Sequence, residues 1–269
     1  MRPARSLALV IALAAPRGAL AYCRMTAPRT PPGACEAGAP VAWRGASVAL
    51  RVNARDLAVS ADAGQSLGDL VRRSTAAAAQ RWSDAACGPS LTMAGDVDAP
   101  LDVALDGRNV VSVNRHWAPD AYHRPGTIAF TVVSVDVATA TLLEADVELN
   151  ARAMENPLGR TFGDGAPSWG VADAPSVLLH ELGHVAGLGH SLTRGAVMEP
   201  SMDVERQRRA LTDDDRAGLC ALDARGAVTG GCAAAPTARA SWRGALCLVF
   251  ILAARGVHAI VGTRRRAAP

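Results

Sequence analysis

The sequence predicts an α/β fold, a mixed and twisted sheet carrying helices, and three observations predict it. Four segments have the alternation or β-branched composition of strands: SVALRVN (Ser47 to Asn53), VVSV (Val110 to Val113), TIAFTVVSV (Thr127 to Val135) and ADVELN (Ala145 to Asn150). Between the first and second lies a stretch, Ser66 to Trp82, whose apolar positions recur at helical spacing. After the last strand comes an apolar, helix-length run that opens at Pro175. Roughly 180 residues from Trp43 to Asp223 are enough for one domain with a sizeable core.

In chain order, residues 22–42 are rich in Pro, Gly and Ala and read as an irregular leader, so the domain begins near Trp43. In the first helix Leu67, Leu70, Val71, Ser74, Ala78 and Trp82 share a face. Asn156 to Ala174 holds several Gly and Pro and reads as a loop, and Pro175 is well tolerated near the start of the helix that follows. A last helix is expected in LTDDDRAGLCAL (Leu211 to Leu222). Thr212 can cap it, and Asp213, Asp214 and Asp215 load its first turn against the helix dipole. No internal repeat interrupts this order.

The segment from His180 to His190 reads HELGHVAGLGH and holds three of the six histidines. Two histidines four apart lie on one helix face, one turn above each other, so both imidazoles can reach a single metal. Gly187 can end the helix in a left-handed cap and turn the chain, which returns His190 as a third ligand. Three protein ligands leave the fourth tetrahedral position to water, the arrangement of a catalytic zinc and not of a structural one. Glu181 sits beside the first ligand and suits a general base.

This spacing, HExxHxxGxxH, resembles that of the metzincin metallopeptidases. Ser191 after the third histidine, and Met198 eight residues beyond His190 within GAVMEPSM, resemble the matrixins and their Met-turn. The resemblance implies a zincin-like metzincin catalytic domain over residues 43–223: a mixed sheet, a zinc-binding active-site helix, the Met-turn and a C-terminal helix. It implies one catalytic Zn2+ on His180, His184 and His190, Glu181 as base, and a protein or peptide substrate. ADVELN resembles the antiparallel edge strand that lines the matrixin cleft. Metzincins often carry structural Ca2+, for which Asp136, Asp146 and Asp164 are the candidates, although scattered aspartates are more often solvated loop residues.

The chain also departs from the family. Glu199 follows the methionine where tyrosine is usual, and the Pro-x-Tyr of the pocket wall becomes Pro200, Ser201, Met202. No His-x-Asp run supports a second zinc, so His116 and His123 read as surface or partly buried side chains. No PRCGxPD-like inhibitory segment occurs; Cys35 reads as a disulfide partner. The rival functional reading is a zinc-bearing surface or adhesion protein with vestigial chemistry. Retention of Glu181 opposes it, because a structural site needs no base. A metzincin of another family is disfavoured by Ser191 and the short His190–Met198 interval.

Both ends read as trafficking signals. Residues 1–21 have a basic start, a short apolar run and an Ala19-Leu20-Ala21 cleavage site, a signal peptide. After a linker over 224–243, residues 244–269 hold a largely apolar stretch closed by Arg264-Arg265-Arg266, a membrane or sorting tail interrupted by Arg255. Export implies an oxidising compartment for the six cysteines. Cys23 with Cys35 and Cys220 with Cys232 are plausible by proximity, and Cys247 is the one expected to be free. The net charge is +3, and all 28 basic residues are arginine with no aromatic interleaving, which argues against a nucleic-acid partner.

Overall fold

A computed structural model describes residues 22–27, 39–53, 65–98, 105–114, 117, 126–151, 161–202 and 206–223, and the backbone of 245–254. Fourteen elements follow in order: β1 (Thr26–Ala27), β2 (Ala39–Pro40), β3 (Ser47–Asn53), α1 (Leu67–Ser83), β4 (Ser90–Val97), β5 (Asn109–Asn114), β6 (Thr127–Asp136), β7 (Thr141–Asn150), β8 (Thr161–Gly163), β9 (Val171–Asp173), α2 (Ala174–Ala186), β10 (Ser201–Met202), α3 (Asp213–Asp223) and β11 (Ala245–Ala254). The signal segment, Cys35, His116, His123, the linker with Cys232, and residues 255–269 lie outside the described residues.

The fold is mixed α/β. The main sheet has the order β4-β3-β5-β7-β6-β11-β10. β4, β3, β5 and β7 are parallel neighbours, and β6 runs antiparallel to β7. Parallel strands need covered faces, and nine of the ten residues of β7, the parallel partner of β5, are buried. The core forms where α1 and α2 pack on this sheet, around Leu50, Leu149, Leu179, Leu182 and Trp82. The α1 face read from the sequence is that core face: Leu67, Leu70, Val71, Ser74, Ala78 and Trp82 are all buried. Ser66 caps α1 by accepting from the Asp69 N–H. The indole of Trp82 donates its N–H to the Leu179 carbonyl at 2.8 Å, and Trp43 donates likewise to Val185 at 2.7 Å. Both tie α2 to its surroundings, and the buried Trp82 N–H would be costly without its partner.

Three expectations are corrected. ADVELN is not an edge: it is the second half of β7, which lies between β5 and β6, and β6 is the strand that turns antiparallel. Alternation reports which face a residue occupies and not which strands flank it. Cys220 pairs with Cys87 and not with Cys232, because α3 returns to the end of α1 with Cα atoms 4.7 Å apart. Residues 22–42 are not uniformly irregular. β1 and β2 pair, Met25, Ala27 and Val41 join the core, and Cys23 is disulfide-bonded. Met25 N–H donates to Gly187 O, and Gly189 N–H donates to Cys23 O, so this segment covers the end of α2. The sequence reading also missed β4, whose Gly95 and exposed polar residues suit a sheet edge.

Residues 245–254, read as part of a membrane tail, form β11 in the sheet. Among the described residues no helix is long and apolar enough to cross a membrane.

Candidate metal centre

Helix α2 is buried on every side although it carries His180, Glu181 and His184, all with no accessible surface. Its start is fixed by Asp173, whose carboxylate accepts from Ser176 N–H and is held by the Arg209 guanidinium. Its end is fixed by Gly187, which adopts φ 115, a left-handed conformation unfavourable for side-chain-bearing residues. The Gly187 N–H returns to His184 O and the Leu188 N–H to Gly183 O. That turn carries the chain back to half-buried His190.

The three imidazoles converge. His184 Nε2 lies 3.1 Å from His180 Nε2 and 3.2 Å from His190 Nε2. The other ring nitrogens of the α2 pair are committed: His180 Nδ1 sits 2.7 Å from Val197 O, and His184 Nδ1 sits 2.8 Å from Leu188 O. Carbonyls only accept, so each Nδ1 carries the proton and each Nε2 presents a lone pair. Lone pairs facing each other at this separation repel unless a cation lies among them. Tetrahedral ligands at about 2.0–2.1 Å from zinc stand roughly 3.3 Å apart, close to the spacings here. The donor set therefore fits zinc. Among the described residues no other group of three histidine, cysteine or carboxylate side chains converges in this way. Asp136, Asp146 and Asp164 do not come together: Asp136 binds its own turn at Ala138 and Thr139, Asp146 accepts from Val110 N–H, and Asp164 pairs with Gln65 and Arg73.

Burial sets the protonation of the site. Desolvation pulls His180 down to about 4, against a raising contribution from its Val197 contact, so the ring is neutral and able to ligate at pH 7. Desolvation likewise pushes the Glu181 carboxyl up to about 8 in the metal-free protein, opposed by a hydrogen bond from Thr131. The Thr131 hydroxyl donates to Glu181 Oε2 at 2.5 Å, while buried Oε1 has no hydrogen-bond partner. One carboxylate oxygen is thus anchored and the other left available.

Beneath the triad the chain turns at Met198, which is buried. A Cβ on Gly183 would collide with Met198 Sδ and stand 2.8 Å from Trp82 Cζ2, so only glycine lets the turn and the indole pack against this helix face. Asp215, in the first turn of α3, holds the turn from below, accepting from Val197 N–H at 3.0 Å and Met198 N–H at 3.1 Å. It accepts also from Thr212 N–H, and Thr212 Oγ1 caps the helix in return. Ser191 donates to Asp214 at 2.6 Å, and its N–H donates to Met198 O. A continuous chain of contacts thus runs from α3 through the Val197 peptide to the His180 ring.

The departure at position 199 has a partner. Glu199 forms an ion pair with Arg208 at 2.5 Å, and Arg208 also donates to Ser201 O, bracing β10. Thr131, Gly183, Asp214 and Asp215 were missed as site residues. Thr131 is one of three hydroxyl residues in its strand, with Thr127 and Ser134, so sequence alone did not single it out; for Gly183 the signal was a small residue between the two ligand histidines.

Comparison with known proteins agrees with this architecture. Residues 105–223 match the matrixin family. Metalloendoproteinase 1-MMP of Arabidopsis thaliana is 40% identical over 27% of this chain. Metalloendoproteinases 4-MMP and 2-MMP of the same plant are 36% and 32% identical over 24% and 26% of it. Each match spans 22% of the relative's length. With the mixed sheet, the histidine triad of α2 and the turn after it, and the turn at Met198 arranged as described, residues 105–223 of this chain form a matrixin-like metzincin domain.

Proposed function

We propose that this chain is an exported zinc-dependent endopeptidase, with zinc held by His180, His184 and His190 and with Glu181 as the general base. The observation that carries the proposal is the convergence of three imidazole Nε2 atoms next to a buried carboxylate that has one oxygen without a hydrogen-bond partner. Bound zinc supplies polarisation of the scissile carbonyl and acidification of water toward a pKa near 7. Glu181 accepts the water proton and returns it to the leaving amine. Thr131 keeps Oε2 in place so that the proton moves at Oε1. No covalent intermediate is required, so no serine or cysteine nucleophile is needed. The names of the three plant relatives support a metalloendopeptidase; the substrate class is protein or peptide.

Export rests on the N-terminal segment and on the Cys87–Cys220 disulfide, which suits an oxidising compartment. Retention at the membrane through residues 244–269 belongs to the same proposal, and it requires β11 to leave the sheet. Glu181→Ala tests the mechanism: the variant is expected to hold about one equivalent of zinc and to lose peptide hydrolysis. Retention of most wild-type turnover would overturn the base assignment.

A further inference from the structure

Strand β11 occupies the gap between β6 and β10. Both walls of that gap belong to the metal centre. β6 supplies Thr131, which holds Glu181, and β10 follows the Met198 turn and is braced by Arg208. β11 runs antiparallel to β6 over residues 127–136 and parallel to β10, with Phe250 at the register position opposite Thr131 and Ala253 opposite Ser201. Its backbone also approaches α2, the helix that carries the histidine pair. Without β11, β6 would end this side of the five-stranded sheet as an open edge, a template for an extended peptide. The gap therefore accepts one extended strand in one direction, and ten uncharged residues of this same chain, ALCLVFILAA, fill it.

We infer that residues 245–254 are an internal ligand of the peptide cleft, held where a substrate strand would lie and competing with it, so the cleft opens only when this segment leaves. The pairing stands on backbone register alone; its consequence for activity rests on the peptidase reading above. The occupant also states a ligand class for the cleft, an extended, uncharged and apolar segment.

Two readouts on the full-length chain test this. In a Glu181→Ala background, Val249→Pro with Ile251→Pro removes ladder donors from β11. Amide exchange in residues 127–136 is then expected to speed at least tenfold, while residues 141–150 of β7 stay protected and report an intact domain. If β7 loosens as well, the milder single substitution Ile251→Pro replaces the pair. In the zinc-loaded chain with Glu181 restored, the same substitutions are expected to raise kcat/KM on a mixed peptide library at least tenfold at unchanged zinc content. Unchanged exchange in β6 overturns the inference whatever the turnover, and faster exchange with unchanged turnover overturns the competition. Faster exchange with no turnover in either form leaves the internal ligand standing and removes the peptidase reading instead.

Discussion

Replacing Asp215 by alanine should damage both the stability of the domain and its grip on zinc. Asp215 is buried and accepts four hydrogen bonds, from Val197 N–H, Met198 N–H, Thr212 N–H and Thr212 Oγ1. Val197 and Met198 are themselves buried, so alanine leaves their two N–H groups away from water without a partner. Each such orphan costs about 1–3 kcal/mol, which puts the loss at roughly 4 kcal/mol for the pair. The loss reaches the metal because the carbonyl of the same Val197 holds His180 Nδ1. Weakening a partner of this kind typically costs tenfold to a hundredfold in metal affinity. The substitution Asp215→Asn gives a graded control. The amide oxygen it introduces can replace the Oδ2 that serves Val197 and Thr212, leaving only Met198 N–H unserved, for about 1–3 kcal/mol. Urea unfolding of the metal-free proteins measures the first quantity, and competition with a chelator measures the second. Should Asp215→Ala lose less than about 1 kcal/mol and bind zinc as tightly as wild type, the contact chain from α3 to His180 carries no energy and the reasoning fails.

Further outcomes follow from other contacts. Thr131→Val should cut kcat by roughly tenfold with KM and zinc content little changed, and Thr131→Ser should restore it, as expected for one oriented hydrogen bond; an equally poor Ser variant would contradict the role of the hydroxyl. Cys220→Ser should cost about 2–5 kcal/mol in thermal or urea unfolding, because the Cys87–Cys220 bridge closes a loop with a sequence separation of 133. Asp146 is pushed up to about 8, chiefly by burial, with its Val110 hydrogen bond opposing and the Glu144 and Asp106 charges adding to the rise. The folded state therefore binds the proton more tightly than the unfolded state between about pH 4 and 8, and this group loses stability for the protein as pH rises through that window. Asp146→Asn should remove that slope and stabilise the domain by on the order of a few kcal/mol at pH 8, with little effect near pH 4; parallel pH profiles of the two proteins would disprove it.

What was legible in the sequence was local. The strand segments 47–53, 110–113 and 127–135 and the α1 face are set by side-chain periodicity, and the Gly187 cap by backbone conformation, all within a few residues. What was not legible depends on how distant segments close on one another. Alternation in ADVELN is satisfied equally at an edge and between two strands, so its strand character is legible while its place in the sheet is not. Proximity in sequence suggested Cys232 for Cys220, whereas the packing of α3 against the end of α1 brings Cys87. Thr131 meets Glu181 across 50 residues, and no local pattern marks that contact.

Asp215 shows why such residues stay hidden even when they are noticed. Three aspartates opening a helix have a sufficient local explanation in the dipole and the Thr212 cap, and Thr212 does cap α3. Yet the exposures differ along the run: Asp214 and Asp215 are buried while Asp213 is not, and burying a carboxylate for the dipole alone would cost more than the fraction of a kcal/mol it returns. The burial is compensated by N–H and O–H donors from outside the helix, Ser191 and Thr193 for Asp214, Val197 and Met198 for Asp215. The same first turn therefore fixes the loop that follows the third histidine and the turn that orients the first. A substitution there that preserves helix capping but removes these acceptors should leave α3 formed and the metal centre loosened.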